Sequence, residues 1–173
     1  MFTRACVVAL PQRLIEVAGV KKQRVLFFAS AAVALGLTGS ASPAGDWLTD
    51  YQKAQQQAKN SNKLLLVNFT GSDWCGFCIR LDQEVFSKSE FKDYADKNLV
   101  LLEIDFPRPG GPRWKAQSAQ LKKQNQELAS KYQVFGFPTI MVLNSEGKLV
   151  GALGYMEGGP GPFIAELEKL HKS

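Results

Sequence analysis

The sequence predicts an α/β domain in which a mixed sheet of about four strands has helices on both faces. Two short runs, at 64–69 and 99–104, are almost entirely apolar, which is typical of strands buried on both sides. The segment between them has apolar residues at helical spacing. Two later apolar runs are joined by a four-residue turn, which indicates an antiparallel hairpin. A length of 173 residues with 45% hydrophobic residues favours a single core.

The first 44 residues have the features of a leader and not of the fold. A basic patch at 21–24 precedes an apolar run at 25–37 and small residues at 38–44, which is the order of a secretory signal. The apolar run is shorter than the ~20 residues that span a bilayer, so we expect cleavage and not a retained membrane anchor. We therefore expect a signal peptide at about 21–44, a domain at 45–173, and a periplasmic or secreted protein that meets the membrane only through its signal.

Charge and cysteine usage narrow the class of protein further. From residue 45 onward the chain has sixteen basic and fifteen acidic residues, a net charge of +1, which argues against a nucleic-acid partner. Cys6 lies in the leader, so the exported chain keeps two cysteines, Cys75 and Cys78. In an oxidising compartment these two can bond only to each other or to another molecule.

Helical spacing predicts an opening helix at 46–60, because apolar residues recur there at intervals of four, three and four. The residues on this predicted face are Trp47, Tyr51, Ala54 and Ala58. The first strand and a second helix follow. Ser87 and Glu90 then have the spacing of a capping box, which predicts the start of a third helix before the second strand.

The second half of the chain begins with a predicted loop at 105–113, which contains three prolines and two glycines. Residues 115–132 are polar and favourable for a helix. Strands at 139–143 and 148–153 form the predicted hairpin. A closing helix follows, marked by Phe163, Leu167 and Leu170.

The cysteine pair lies where the first strand passes into a helix. A thiolate at Cys75 would be stabilised there by free backbone amides and by the positive end of the helix dipole, which predicts that Cys75 is the attacking thiol. Cys78 lies one turn further on and would resolve the mixed disulfide. The alternative is an inert structural disulfide, but a four-residue loop constrains the unfolded chain little. A zinc site would need two more ligands, and His171 is the lone histidine.

Residues 67–78, reading Val-Asn-Phe-Thr-Gly-Ser-Asp-Trp-Cys-Gly-Phe-Cys, together with Gly-Phe-Pro-Thr at 136–139, resemble the thioredoxin superfamily. The segment is particularly similar to exported bacterial thioredoxin-like proteins. The resemblance covers nearly all of residues 46–171. It implies a thioredoxin-like three-layer fold and thiol-disulfide oxidoreductase activity, with no cofactor besides the redox-active disulfide of Cys75 and Cys78. The implied partners are protein thiols and disulfides and an upstream redox protein, and we expect a monomer.

The resemblance also implies roles for single residues around the cysteines. Pro138 would be a cis-proline facing the pair. The backbone of Phe137 would be free to pair with an extended substrate strand. Trp74 would line the same surface, with core packing as the alternative for both aromatic residues. Gly76 and Phe77, between the cysteines, complete the expected substrate-binding set.

Two departures from the family pattern bear on proton transfer. Asn68 stands where thioredoxins usually have a buried aspartate, and Leu101 stands where a lysine often accompanies it. A water, or Glu103 on the same strand face as Leu101, would have to accept the proton of the second cysteine. Phe77 adds no charge at the start of the helix, so we expect an intermediate or reducing potential. The direction, reductase or isomerase, stays open.

A binding or chaperone-like module on the same fold is the alternative from a different functional class. In that hypothesis the cysteines are incidental and the loop at 105–113 contacts a partner. Arg108, Arg113 and Trp114 would then be contact residues. A solvated spacer is the other interpretation of this loop.

Overall fold

The computed structural model describes residues 46–172, and the expectations about the leader, its signal segment and Cys6 lie outside them. The strands are β1 (Leu64–Thr70), β2 (Leu99–Asp105), β3 (Thr139–Leu143) and β4 (Leu149–Leu153). They form one sheet in the order β2-β1-β3-β4. β1 and β2 are parallel, while β3 is antiparallel to both β1 and β4. The predicted mixed sheet is therefore confirmed.

Residues 46–172 contain six α-helices that cover both faces of the sheet. They are α1 (Tyr51–Ser61), α2 (Gly76–Leu81), α3 (Ser89–Asn98), α4 (Pro112–Ala116), α5 (Ala119–Lys131) and α6 (Pro160–His171). A π-helical turn, Asp82–Phe86, continues α2. Helices α2, α3 and α6 pack on one face, and α1 and α5 pack on the other. None of these helices has the length and apolar composition needed to cross a membrane.

The central strand β1 shows why the sheet needs cover on both sides. All seven of its residues are buried. Successive side chains point to opposite faces, so Leu64 and Leu66 join the core formed with α3 and α6. Leu65 and Val67 join the core formed with α1 and α5. A continuous apolar run is thus the sequence pattern that a strand between two helical layers requires.

The opening helix begins later than its apolar spacing predicts. Asp50 is the cap of α1, because its carboxylate accepts a hydrogen bond from the backbone N–H of Lys53 at 3.0 Å. Ahead of this cap the chain pairs with the sheet, where Leu48 forms a parallel bridge with Leu102 at the edge of β2. The residues before Asp50 therefore belong with the sheet and not with the helix.

The prediction that Trp47 shares a helix face with Ala54 and Ala58 is wrong for this reason. Trp47 packs with the core on the α3 and α6 side, and its ring centroid lies 5.1 Å from that of Phe86. Ala54 and Ala58 are buried on the other side of the sheet. Apolar spacing alone does not show that the chain changes from a β-bridge at Leu48 to a helix at Tyr51.

The predicted capping box at Ser87 and Glu90 is also wrong. The hydroxyl of Ser87 donates to the backbone carbonyl of Gln83 at 3.0 Å, and the backbone N–H of Ser87 donates to the carbonyl of Asp82 at 2.8 Å. Both bonds make Ser87 the end of the preceding π-helical turn. Helix α3 begins after Lys88 without a side-chain cap.

The predicted helix at 115–132 is divided into α4 and α5. The side-chain oxygen of Ser118 accepts a hydrogen bond from the backbone N–H of Leu121 at 3.1 Å, which starts a new helix. Pro112 begins α4, where a missing N–H costs nothing. Since β2 continues to Asp105, the irregular segment is 106–111 and is shorter than the predicted loop.

Candidate functional site

The cysteine pair is positioned by the passage from β1 into α2. Cys75 is the residue that caps α2, and the backbone N–H of Cys78 donates to Cys75 Sγ at a distance of 3.2 Å. The two sulfurs form a disulfide, with the Cα atoms 5.2 Å apart. The structure therefore brings both predicted catalytic residues together, and it aims a backbone donor at the first sulfur.

Access to the pair is narrow. Cys75 is 7% exposed and Cys78 is 5% exposed, so the two residues are almost equally buried. The side chains beside them are open, since Trp74 is 47% exposed and Phe77 is 56% exposed. A substrate would therefore meet a surface of aromatic side chains before it meets sulfur.

The turn that precedes the cysteines is held by Asp105, at the end of β2. Its carboxylate accepts hydrogen bonds from the backbone N–H of Ser72 at 3.0 Å and from the Ser72 hydroxyl at 2.7 Å. The backbone carbonyl of Asp105 accepts further bonds from the side-chain amides of Gln117 and Asn125. Sequence reasoning missed this residue. The available signal was a carboxylate directly after an apolar strand, beside the end of the strand that leads to the cysteines.

Trp74 is fixed to two neighbouring loops. Its indole Nε1 donates to the carbonyl of Phe106 at 2.7 Å, and its ring meets that of Phe137 edge to face at 5.9 Å between centroids. Phe137 in turn stacks on Phe106 at 5.2 Å. A Cβ at Gly71 would lie 2.5 Å from the Trp74 ring, so this close approach requires glycine.

The segment before β3 contains two of the predicted substrate-binding residues. The peptide bond between Phe137 and Pro138 is cis, as the resemblance implied. The contact between Phe137 and Trp74 places this segment beside the residue that precedes Cys75. The site therefore joins the ends of β1, β2 and the start of β3, three strands that lie side by side.

The other flank of the cysteine helix is a cluster of one aromatic pair and one ion pair. Phe77 packs on Tyr155 at 5.4 Å between ring centroids. The Tyr155 hydroxyl donates to the carboxylate of Glu84 at 2.7 Å, and Arg80 pairs with the same carboxylate at 3.2 Å. The hydrogen bond from Tyr155, followed by the interaction with Arg80, lowers the pKa of Glu84. Arg80, the arginine nearest the cysteines in sequence, is thus already paired with Glu84.

Two polar residues of β1 and β2 bear on proton transfer: Asn68, one of the two departures from the family pattern, and Glu103, the candidate proton acceptor. Asn68 is 6% exposed, and within the described residues its Oδ1 has no hydrogen-bond partner. Asn68 pairs in register with Glu103 on β2. Burial, and then the nearby carboxylate of Asp105, raise the pKa of Glu103. An ionised Glu103 is therefore costly for the folded state.

Replacing Glu103 by glutamine is expected to raise the free energy of unfolding at neutral pH. A carboxyl with a raised folded-state pKa gives up its proton more easily in the unfolded chain, so stability falls as the pH rises from the unfolded pKa through the folded pKa. The difference in the free energy of unfolding between Glu103→Gln and the original protein should shrink as the pH falls below the ordinary pKa of glutamate. Urea unfolding across this pH range measures it.

The control for this substitution is Glu146→Gln. Glu146 is exposed and meets Lys59 at 3.8 Å, and exposed pairs of this kind contribute little to stability. Its replacement should leave the pH dependence unchanged. A stability difference for Glu103→Gln that stays constant with pH would contradict the assignment of the cost to ionisation.

The described residues contain no group of three or more His, Cys, Asp and Glu side chains placed to hold a metal ion. Cys75 and Cys78 are therefore not part of such a group within residues 46–172. Their sulfurs are bonded to each other.

Comparison with known proteins agrees with this geometry. A family model described as a thioredoxin-like domain matches residues 51–171. The disulfide bond reductase DsbH of Chlamydia pneumoniae is 33% identical over 122 residues, which is 70% of this chain and 70% of that protein. The thioredoxin-related protein DsbJ of the same organism is 31% identical over 108 residues, which is 62% of this chain but 30% of DsbJ.

A solved structure described as DsbH oxidoreductase has a TM-score of 0.68 and 32% sequence identity, and the match covers 76% of this chain and 88% of that one. The predicted fold, the resemblance and the predicted class of activity are thereby confirmed. The cysteine pair at the start of α2 is the thiol-disulfide exchange site of an oxidoreductase. The chain belongs to the thioredoxin-like family.

Proposed function

We propose that the protein reduces disulfide bonds in exported proteins, with Cys75 as the attacking thiol and Cys78 as the resolving thiol. The observation that carries this proposal is the hydrogen bond from the Cys78 backbone N–H to Cys75 Sγ at 3.2 Å. Cys75 caps the helix, so its sulfur lies at the end where backbone donors are free and the dipole is positive. Both effects favour a thiolate at Cys75.

The reaction begins with the reduced pair. The Cys75 thiolate attacks one sulfur of the substrate disulfide, a bond forms between Cys75 and the substrate, and the other substrate sulfur leaves as a thiolate that takes up a proton. Cys78 then loses its proton and attacks Cys75 Sγ, which releases the second substrate thiolate. The substrate gains two electrons, and the protein is left with the disulfide between Cys75 and Cys78. A water or Glu103 accepts the proton of Cys78, the two acceptors that the sequence leaves open.

The reducing direction is supported by the cysteine helix itself, which adds no unpaired positive charge beside the attacking sulfur. Phe77 brings no charge, and Arg80 is paired with Glu84. A strong oxidant owes its potential to a highly stabilised reduced form. The relative at 33% identity is named a disulfide bond reductase. The dithiol of an upstream redox protein has to return the pair to its reduced form after each cycle.

The substrate-binding residues are Trp74, Gly76, Phe77, Phe137 and Pro138. Trp74 and Phe77 present exposed rings on either side of the cysteine helix, and the Phe137 ring lies against Trp74. An ideal Cβ at Gly76 meets nothing within 4 Å, so this position is open to an incoming chain. The backbone at Phe137 precedes β3, where an extended substrate segment can pair with it.

Export through the leader completes the proposal. The order of basic, apolar and small residues at about 21–44 supports a cleaved secretory signal, and the family match at 51–171 supports a functional domain that starts near residue 45. The protein then acts in the periplasm or outside the cell, as a monomer. Its partners are substrate disulfides and one dithiol protein.

Replacing Cys78 by alanine is expected to trap substrates. Cys75 still attacks, but nothing resolves the mixed disulfide, so the complexes accumulate and survive non-reducing electrophoresis. Mass spectrometry of the captured partners should find exported proteins with disulfides. The mass of the captured variant itself should correspond to a chain that has lost its leader.

The matched control carries the Cys75→Ser substitution in addition to Cys78→Ala. This double variant should trap nothing, because the attacking sulfur is gone. Equal amounts of trapped complex with and without Cys75 would refute the assigned roles. Capture of proteins that never leave the cytoplasm would refute the proposed location.

A further inference from the structure

A cavity of about 530 Å³ lies beside Trp74, and Phe77 is not among its lining residues. Rings and prolines form much of its lining, including Trp74, Phe106 and Trp114. The volume is in the range of sites that hold a small molecule or a few side chains. Trp74, which forms one wall, directly precedes the attacking cysteine. The cavity therefore adjoins the place where the sulfur chemistry occurs.

The polar groups deep in this cavity are already satisfied. Asn125 is 2% exposed, and its side-chain amide donates to the carbonyl of Asp105 at 3.0 Å. Gln117 donates to the same carbonyl at 3.0 Å. The Trp74 indole N–H is engaged by Phe106. An apolar group can consequently fill the interior without leaving these donors unpaired.

Two cations and one acidic residue line the same cavity. The acidic residue, Asp105, is 8% exposed, and its carboxylate already accepts two hydrogen bonds from Ser72. The ammonium of Lys122 lies over the ring of Trp114, 3.5 Å from its centroid. Arg108 lies in the segment after β2, whose backbone is held because the Arg108 N–H donates to Asp73 at 2.9 Å. Within residues 46–172, no ion pair involves the side chain of Arg108 or Lys122. Both charges are thus available to an anionic ligand.

The segment that contributes most of the cavity lining is also positively charged. Residues 106–126 contain five basic residues and no acidic residue. The rest of residues 45–173 contains eleven basic and fifteen acidic residues. The domain is nearly neutral as a whole, so this basic segment is a local feature and predicts an acidic ligand.

We propose that this cavity binds a segment of the substrate polypeptide in which a large apolar side chain is followed by carboxylates, close in sequence to the target cysteine. The aromatic walls receive the apolar side chain, and Lys122 and Arg108 receive the carboxylates. A substrate whose sulfur is bonded to Cys75 passes Trp74, and an extended chain advances about 3.3 Å per residue, so the neighbours of its cysteine reach the cavity. This inference rests on the proposed reductase function and names the substrates that the function favours.

The first test measures binding without any redox step. The probe is a short peptide with Phe-Asp-Glu next to a serine that replaces the target cysteine, and it is added to the oxidised protein. The control peptide has Phe-Lys-Lys at the same place. The chain has three tryptophans, so the indole N–H signals of Trp74 and Trp114 report on the cavity and that of Trp47, packed against Phe86, is an internal reference.

The acidic peptide should shift the Trp74 and Trp114 signals in a saturable and salt-sensitive way, and leave the Trp47 signal in place. The basic peptide should shift them much less. Equal shifts with both peptides, or no shift of Trp114 with either, would overturn the proposal. This readout does not depend on turnover.

The second test measures the reduction of disulfide forms of the same two peptides. Lys122→Glu should lower the preference for the acidic peptide over the basic one by about five- to tenfold, because attraction becomes repulsion. Arg108→Glu should act in the same direction. The matched control is Lys123→Glu, which makes the same change of charge at the next residue of α5, outside the cavity, and should leave the preference unchanged.

The two tests separate the failure of this inference from the failure of the proposed function. Reduction of both peptides at equal rates, with no response to Lys122→Glu, would reject the cavity as a substrate site and retain the reductase. Binding of the acidic peptide with no reduction of any disulfide would reject the reductase. An equal loss of preference in Lys122→Glu and Lys123→Glu would trace the effect to net charge and overturn the proposal.

Discussion

Replacement of Cys75 by serine is expected to lower the rate of disulfide reduction by on the order of a thousandfold or more, because it removes the nucleophile. A serine hydroxyl at the same helix start does not attack a disulfide at neutral pH, so the hydrogen bond from Cys78 has nothing to activate. The measurement is the rate at which the reduced protein reduces a peptide disulfide, with a dithiol supplied as the resetting reductant.

The matched control for this substitution is Cys6→Ser, which makes the same exchange in the proposed leader. It should leave the rate unchanged, since Cys75 and Cys78 both remain. If the Cys75→Ser variant binds partners as well as the original protein does, and the original protein reduces nothing, the chain is instead a binding or chaperone-like module. Full activity of Cys75→Ser would contradict the assigned nucleophile.

Replacement of Phe163 by alanine is expected to lower the free energy of unfolding by about 3–5 kcal/mol. Phe163 is fully buried, and its ring meets those of Phe86 at 5.6 Å and Phe91 at 6.1 Å. These contacts join α6 to α3 and to the turn that continues the cysteine helix. The substitution leaves a cavity that this rigid neighbourhood fills incompletely. Urea unfolding measures the loss. The slope of the free energy of unfolding against urea concentration should stay unchanged.

Phe135→Ala is the matched control, because it deletes the same ring where it is 95% exposed. Its effect on the free energy of unfolding should stay within about 0.5 kcal/mol. Similar losses for the two variants would mean that burial of Phe163 does not stabilise the domain. A loss confined to Phe163→Ala would support the core on the α3 and α6 side of the sheet.

Local patterns predicted the strands and the hairpin because each depends on neighbours in sequence. The apolar runs at 64–69 and 99–104 are nearly identical to β1 and β2, and the turn at 144–147 joins β3 to β4. The errors occur where a distant contact competes with the local pattern. Trp47 has helical spacing, yet Leu48 pairs with β2 and turns Trp47 to the other face of the sheet.

Cap residues show the same limit. Ser87 has the spacing of a capping box, but the π-helical turn before it takes both its N–H and its hydroxyl. Ser118 does cap a helix, at a break that composition did not indicate. A cap motif predicts a helix start only when no neighbouring segment uses the same groups first.

By itself, the sequence determined the reactive chemistry of this protein: two thiols one helical turn apart, placed directly after a buried strand. That spacing is local, so no fold is needed to see that one sulfur can resolve what the other captures. Only the tertiary structure decided which residues surround the pair. Asp105 holds Ser72, and Phe106 holds Trp74, across more than thirty residues of chain. Such contacts exist because β1 and β2 lie side by side, and sheet pairing is set by the packing of the whole domain.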